Sequence, residues 1–167
     1  MTMKINKTTI LALLLLAVTL ATPVVAVKQH TNYRAILRGS NQNPPVETNA
    51  HGVFIATLSS DGKSLTFKLI VANMENVTMA HIHIGDSATN GPVVVFLFHT
   101  ETPVARQDGI LSQGTFTASD FKGPLMGQAF SALINAIMNG DAYVNVHSTQ
   151  HPAGEIRGQI FIAGETN

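Results

Sequence analysis

The strongest constraint in this chain is an alternation: between clusters of Gly, Pro, Asn and Asp, apolar side chains recur at every second position. Only extended backbone sends alternate side chains to one face, so the pattern predicts half-buried β-strands. Strands are predicted over 33–38, 52–59, 64–72, 78–84, 92–99, 109–117, 142–148 and 155–162. Asp61-Gly62 accepts the positive φ values of a tight hairpin, which makes the second and third strands antiparallel neighbours. One segment departs from this period. Phe130, Leu133, Ile134 and Ile137 fall on one face of a helix, predicted over 126–138 and closed by Gly140. The expected architecture is an all-β sandwich or barrel with one short helix.

The first 26 residues are set apart from the rest. Lys4 and Lys7 precede an uncharged apolar run from Ile10 to Leu20, and small residues lead up to Ala26. This is the three-part pattern of a secretory signal, with cleavage expected after Ala26. An uncleaved anchor over Thr9–Val27 is the competing reading, weakened by Pro23. The predicted organisation is therefore a signal peptide at 1–26 and one domain at 27–167, secreted or extracytoplasmic and free of the membrane once cleaved.

Ten Lys/Arg balance ten Asp/Glu with no run of like charge, which speaks against a nucleic-acid partner. Loss of residues 1–26 leaves eight basic and ten acidic residues, a net charge of −2. The absence of cysteine excludes a disulfide framework, a thiolate metal site and a cysteine nucleophile. The sequence contains no nucleophile elbow, phosphate-cradling glycine motif or H-E-x-x-H pair.

Histidine is the residue type with chemistry to offer. His81 and His83 are two apart on a predicted strand, so both leave the same face while Ile82 and Ile84 enter the other. The same alternation groups Tyr143, Asn145 and His147 on one strand and Glu155, Arg157 and Gln159 on another. Where such faces converge, three neutral imidazoles can bind copper or zinc at about 2 Å. The expected site is His81, His83 and His147 holding Cu(II), or Zn(II) less tightly, with His151 in the adjacent turn as a candidate fourth ligand. Around it, Asn145 offers a polar neighbour, Glu155 is expected to fix an imidazole tautomer, and Arg157 to hold a carboxylate or an anion. The competing reading is a solvated polar sheet face with an ordinary Glu155–Arg157 ion pair. His30, His51 and His99 are expected in the tail, in a turn and at a strand end.

The blocks Leu37-Arg38-Gly39-Ser40-Asn41-Gln42-Asn43-Pro44-Pro45, Ala80-His81-Ile82-His83-Ile84-Gly85, Gly140-Asp141-Ala142-Tyr143-Val144-Asn145-Val146-His147-Ser148 and Pro152-Ala153-Gly154-Glu155-Ile156-Arg157-Gly158-Gln159-Ile160 resemble the CHRD domain, named for its occurrence in chordin and found in many secreted prokaryotic proteins. The resemblance spans roughly residues 31–163. Asn43 departs from a usual Glu, and His151 from a usual Asn. The resemblance implies an immunoglobulin-like or barrel-like domain outside the cytoplasm, without established enzymatic activity. A fainter similarity to copper/zinc superoxide dismutase lies in His81-Ile82-His83-Ile84-Gly85-Asp86 and Val144-Asn145-Val146-His147, and it implies His81, His83 and His147 as copper ligands. That family's bridging histidine, zinc ligands and cysteine pair have no counterpart. The function expected is a non-enzymatic binding domain with a protein or cell-surface partner; the alternative is a copper-dependent redox enzyme. An exposed strand edge would also permit self-association.

Overall fold

The computed structural model describes residues 31–164, so the predicted signal segment and His30 lie outside the described residues. Seven strands form one antiparallel sheet: β1 (Asn32–Arg38), β2 (His51–Leu58), β3 (Ser64–Ile84), β4 (Val93–Thr117), β5 (Ala142–Ser148), β6 (Ile156–Gln159) and β7 (Phe161–Ile162). The strand order is β2-β1-β6-β5-β3-β4, with β7 beside β1 and a further pairing of β2 with β3. That last pairing closes β1, β2, β3, β5 and β6 into a five-stranded barrel, with β4 attached outside along β3.

Closure depends on the length of β3. Its first half, Leu65 to Ala72, pairs with β2, while its second half, from Val77 to Ile84, pairs with β5. The predicted strands 64–72 and 78–84 are thus one bent element, as are 92–99 and 109–117 in β4. In place of the break between the first two stands irregular pairing with β4 around residues 71–79, where Asn73 and Asn76 adopt positive φ (54° and 51°). Bulges of this kind bend a strand without ending it. The predicted strand 155–162 is conversely two elements, β6 and β7. The hairpin at Asp61-Gly62 forms as expected, with Thr57 opposite Thr66.

Leu37, Phe54, Leu69, Val144, Val146 and Ile156 are fully buried and give the barrel its core. Complete burial of such a side chain contributes about 1.5–3 kcal/mol. The helix α1 (Ser131–Met138) is shorter than the expected 126–138. Residues 123–125 form a 3-10 turn instead, and Gly127 at φ 76° breaks continuity before Phe130. Leu133 and Ile137 face the core, and Phe130 stacks on Phe121.

Both faces of β5 are buried along its whole length. The face carrying Tyr143, Asn145 and His147, expected to meet either a ligand or water, is covered by the loops between β1 and β2, β3 and β4, and β5 and β6. Gln42 reaches Asn145 from the first, Gly91 reaches His83 from the second and Pro152 reaches His147 from the third. The solvated-face reading is therefore corrected: these polar groups are withdrawn from water.

Candidate metal centre

The register of β3 against β5 brings the histidines together. His81 lies opposite Asn145, His83 opposite Tyr143 and Met79 opposite His147, so His147 is a diagonal same-face neighbour of His81. One nitrogen from each of His81, His83 and His147 lies within 4.8 Å of the others. All three residues are buried, between 4 and 7 % exposed.

Two of the imidazoles have their tautomers fixed by backbone carbonyls, which can only accept. His83 Nδ1 donates to Gly91 O at 2.9 Å, and His147 Nδ1 donates to Pro152 O at 3.0 Å. Each is left with a bare Nε2 lone pair. His81 Nδ1 lies 3.1 Å from His147 Nε2 and donates to it. His81 Nε2 and His83 Nε2 are buried with no hydrogen-bond partner. Buried polar atoms without partners are rare, because leaving one unmatched costs about 1–3 kcal/mol. Here both belong to rings of one buried cluster, in which a nitrogen of each histidine lies within 4.8 Å of the others, a donor set that suits a metal ion. The 3.1 Å separation of His81 Nδ1 and His147 Nε2 is close to the ~3.3 Å between two imidazole nitrogens sharing a tetrahedral ion at 2.0–2.1 Å.

Electrostatics keep the cluster ready for ligation. Burial, followed by the neighbouring His147 and His83, pushes the His81 pKa down to about 3. Burial also lowers His83 and His147, partly opposed by their carbonyl partners Gly91 and Pro152. Neutral imidazole is the ligating form.

Phe96 of β4 presses its ring edge-on to His81, with centroids 4.5 Å apart. Tyr143 stacks nearly parallel on His83, 4.9 Å away at 9°. Tyr143 Oη accepts from the Gly91 N–H at 3.0 Å, so one peptide group ties Tyr143 and His83 together. Gly91 is required there, because a Cβ would lie 1.6 Å from the Ile84 carbonyl oxygen. The alternation of β5 placed Tyr143 on this face; its stacking and the two carbonyl anchors depend on loop conformation that residue spacing does not encode.

The surrounding residues behave differently from expectation. Glu155 touches no histidine: its carboxylate accepts from Ser148 Oγ at 2.6 Å and Thr48 Oγ1 at 2.7 Å. The tautomer-fixing role expected of it belongs to the Gly91 and Pro152 carbonyls. Nor does Glu155 pair with Arg157. The Arg157 guanidinium is 1 % exposed and donates to Asp86 O at 2.6 Å, Thr89 O at 3.0 Å and Asn90 Oδ1 at 3.0 Å. Its Cζ lies 3.5 Å above the Tyr143 ring. Instead of a carboxylate or anion it holds the carbonyls of the loop after β3. Asn145 accepts from Gln42 Nε2 at 2.7 Å and donates to Ala153 O. Thus Asn145 secures two loops over the cluster. His151 is not one of the three clustered residues; its backbone shapes the turn through Ser148 and Gly154. His51 is exposed but opens β2 rather than lying in a turn, and His99 lies within β4 beside Glu101 rather than at a strand end. Asn43, the residue that departs from the family pattern, donates to the Ala88 carbonyl on the loop bearing Gly91.

No curated protein and no solved structure matches the chain. Neither comparison supports the similarity to copper/zinc superoxide dismutase expected from the His81–Asp86 and Val144–His147 segments. The CHRD domain family matches residues 33–160, which runs from the second residue of β1 through β6 and takes in every residue of the histidine cluster. The chain belongs to the CHRD domain family.

Proposed function

We propose that this protein is an extracytoplasmic binding domain whose His81, His83 and His147 hold one copper ion, with zinc bound less tightly. The observation that carries the reading is the buried cluster itself, with one nitrogen from each of three imidazoles within 4.8 Å of the others and His83 Nε2 left unpartnered inside it. Copper ranks above zinc because imidazole donors follow the general divalent affinity order and no carboxylate joins the cluster to favour a harder ion. The family supports a binding role, since CHRD domains occur in extracellular proteins and are not known as enzymes. Among the described residues, no helix is long and apolar enough to cross a membrane. The partner expected is a protein or cell-surface component, and the N-terminal segment supplies export.

Isothermal titration of the 27–167 domain with copper and then with zinc tests the metal reading. Saturable uptake of one copper, weakened at least a hundredfold when His81 and His83 are both alanine, is expected. No saturable uptake, or uptake indifferent to both substitutions, overturns it.

A further inference from the structure

The Arg157 guanidinium is a buried cation with no carboxylate within 4.0 Å among the described residues. Its hydrogen-bond acceptors are uncharged: two carbonyls, the Asn90 amide oxygen and, at 3.4 Å, the Gln159 amide oxygen. Asp86, whose carbonyl it grips, carries the acid that feels it, and that residue is exposed. Glu155, the buried acid two residues away, is occupied by Ser148 and Thr48. Arg157 lies on one ring of a stack: its Cζ is 3.5 Å from the Tyr143 centroid, and Tyr143 lies against His83 at 4.9 Å and 9°. Arginine keeps its charge in proteins, and a low-dielectric interior carries a field further than water does. Any ion held at His83 therefore forms within reach of a fixed positive charge and among neutral donors, the one acid coupled to Arg157 being the exposed Asp86.

We propose that Arg157, acting across Tyr143 on His83, shifts the relative affinity of the histidine cluster toward monovalent and away from divalent copper. The proposal rests on the copper reading above and adds an oxidation-state preference to it. The added positive charge of Cu(II) costs more beside Arg157 than that of Cu(I), and three uncharged imidazoles do nothing to lower this cost. Arg157 is thus a selectivity residue that touches no metal, and Tyr143 is the spacer that keeps the guanidinium at a fixed distance from His83.

The test is the Cu(II)/Cu(I) midpoint potential of the copper-loaded domain, measured by voltammetry after uptake has been confirmed by titration. Arg157→Gln is expected to shift the ratio of Cu(I) to Cu(II) affinity at least tenfold toward Cu(II), a fall of 59 mV for one electron. Arg157→Lys, which keeps the charge, is expected to shift it less than threefold. A purely structural clamp predicts equal changes for the two. Should Arg157→Gln fail to fold, Asn90→Asp places a carboxylate on Arg157 Nη1 without removing it and is expected to move the potential in the same direction as Arg157→Gln. Copper uptake with a potential unmoved by Arg157→Gln or Asn90→Asp overturns this proposal alone. Absence of uptake by the unaltered domain overturns it together with the copper reading.

Discussion

His81 Nδ1 and His147 Nε2, sixty-six residues apart in the chain, stand 3.1 Å apart inside the protein. The contact exists because β3 and β5 are paired in a register that sets these two histidines diagonally on one face. It also fixes the protonation pattern of the metal-free cluster. His147 Nδ1 is committed to Pro152 O, so its Nε2 must accept the proton that His81 carries.

That pattern makes metal-free stability acid-sensitive. The three histidines have pKa values lowered by burial, so below the unfolded value of about 6.5 the unfolded chain binds more protons than the folded one. Stability is full above that pH and declines as pH falls toward the folded values, by up to about 1.4 kcal/mol per pH unit for each histidine. Asp61, Asp86 and Asp108, lowered first by hydrogen bonds from Ser59, Thr89 and Asn73, titrate below this window. Urea midpoints taken between pH 6.5 and 5 are expected to fall steadily; a flat profile there contradicts the buried neutral cluster.

Gly91 serves both Tyr143 and His83 through one peptide group. Gly91→Ala is expected to destabilise the fold by about 3 kcal/mol or more, because the methyl meets the Ile84 carbonyl and the loop must move. A urea melt measures the loss. An alanine variant as stable as the parent would show that the loop does not hold this position.

Glu155 binds Ser148 and Thr48 rather than any histidine. Glu155→Gln is therefore expected to cost about 1 kcal/mol of stability while changing copper affinity less than threefold. Titration and melting of the same sample separate the two effects, and a tenfold weaker copper affinity would restore Glu155 to the site.

Asn76 bends β3 at φ 51° with no side-chain hydrogen bond of its own. Asn76→Gly is expected to stay within about 0.5 kcal/mol of the parent, whereas Asn76→Val costs about 1.5 kcal/mol or more, since a β-branched residue resists that conformation. Equal melting of the two variants would count against the bend.

Much of this was legible in the sequence because strand alternation is a local property. Spacing alone puts His81 with His83 and Tyr143 with His147 on shared faces, and the all-β class follows from the same signal. The continuity of β3 through Asn73 and Asn76 was not legible, since an Asn-rich interruption reads equally as a turn or as a bulge. Nor were the partners of Glu155 and Arg157. Both residues face the polar side as expected, but what they touch is set by loops that fold back over the sheet. Arg157 meets the carbonyls of Asp86 and Thr89 some seventy residues away, and no spacing rule anticipates that pairing. The Gly91 and Pro152 anchors are backbone groups, invisible to any reading of side-chain types.

X-ray absorption at the copper edge of the loaded domain tests the central claim most directly, since it reports the ligands in either oxidation state. The account predicts three imidazole nitrogens at about 2 Å, with one imidazole lost in His147→Gln. An oxygen-dominated shell, or a spectrum unchanged by His147→Gln, would contradict it.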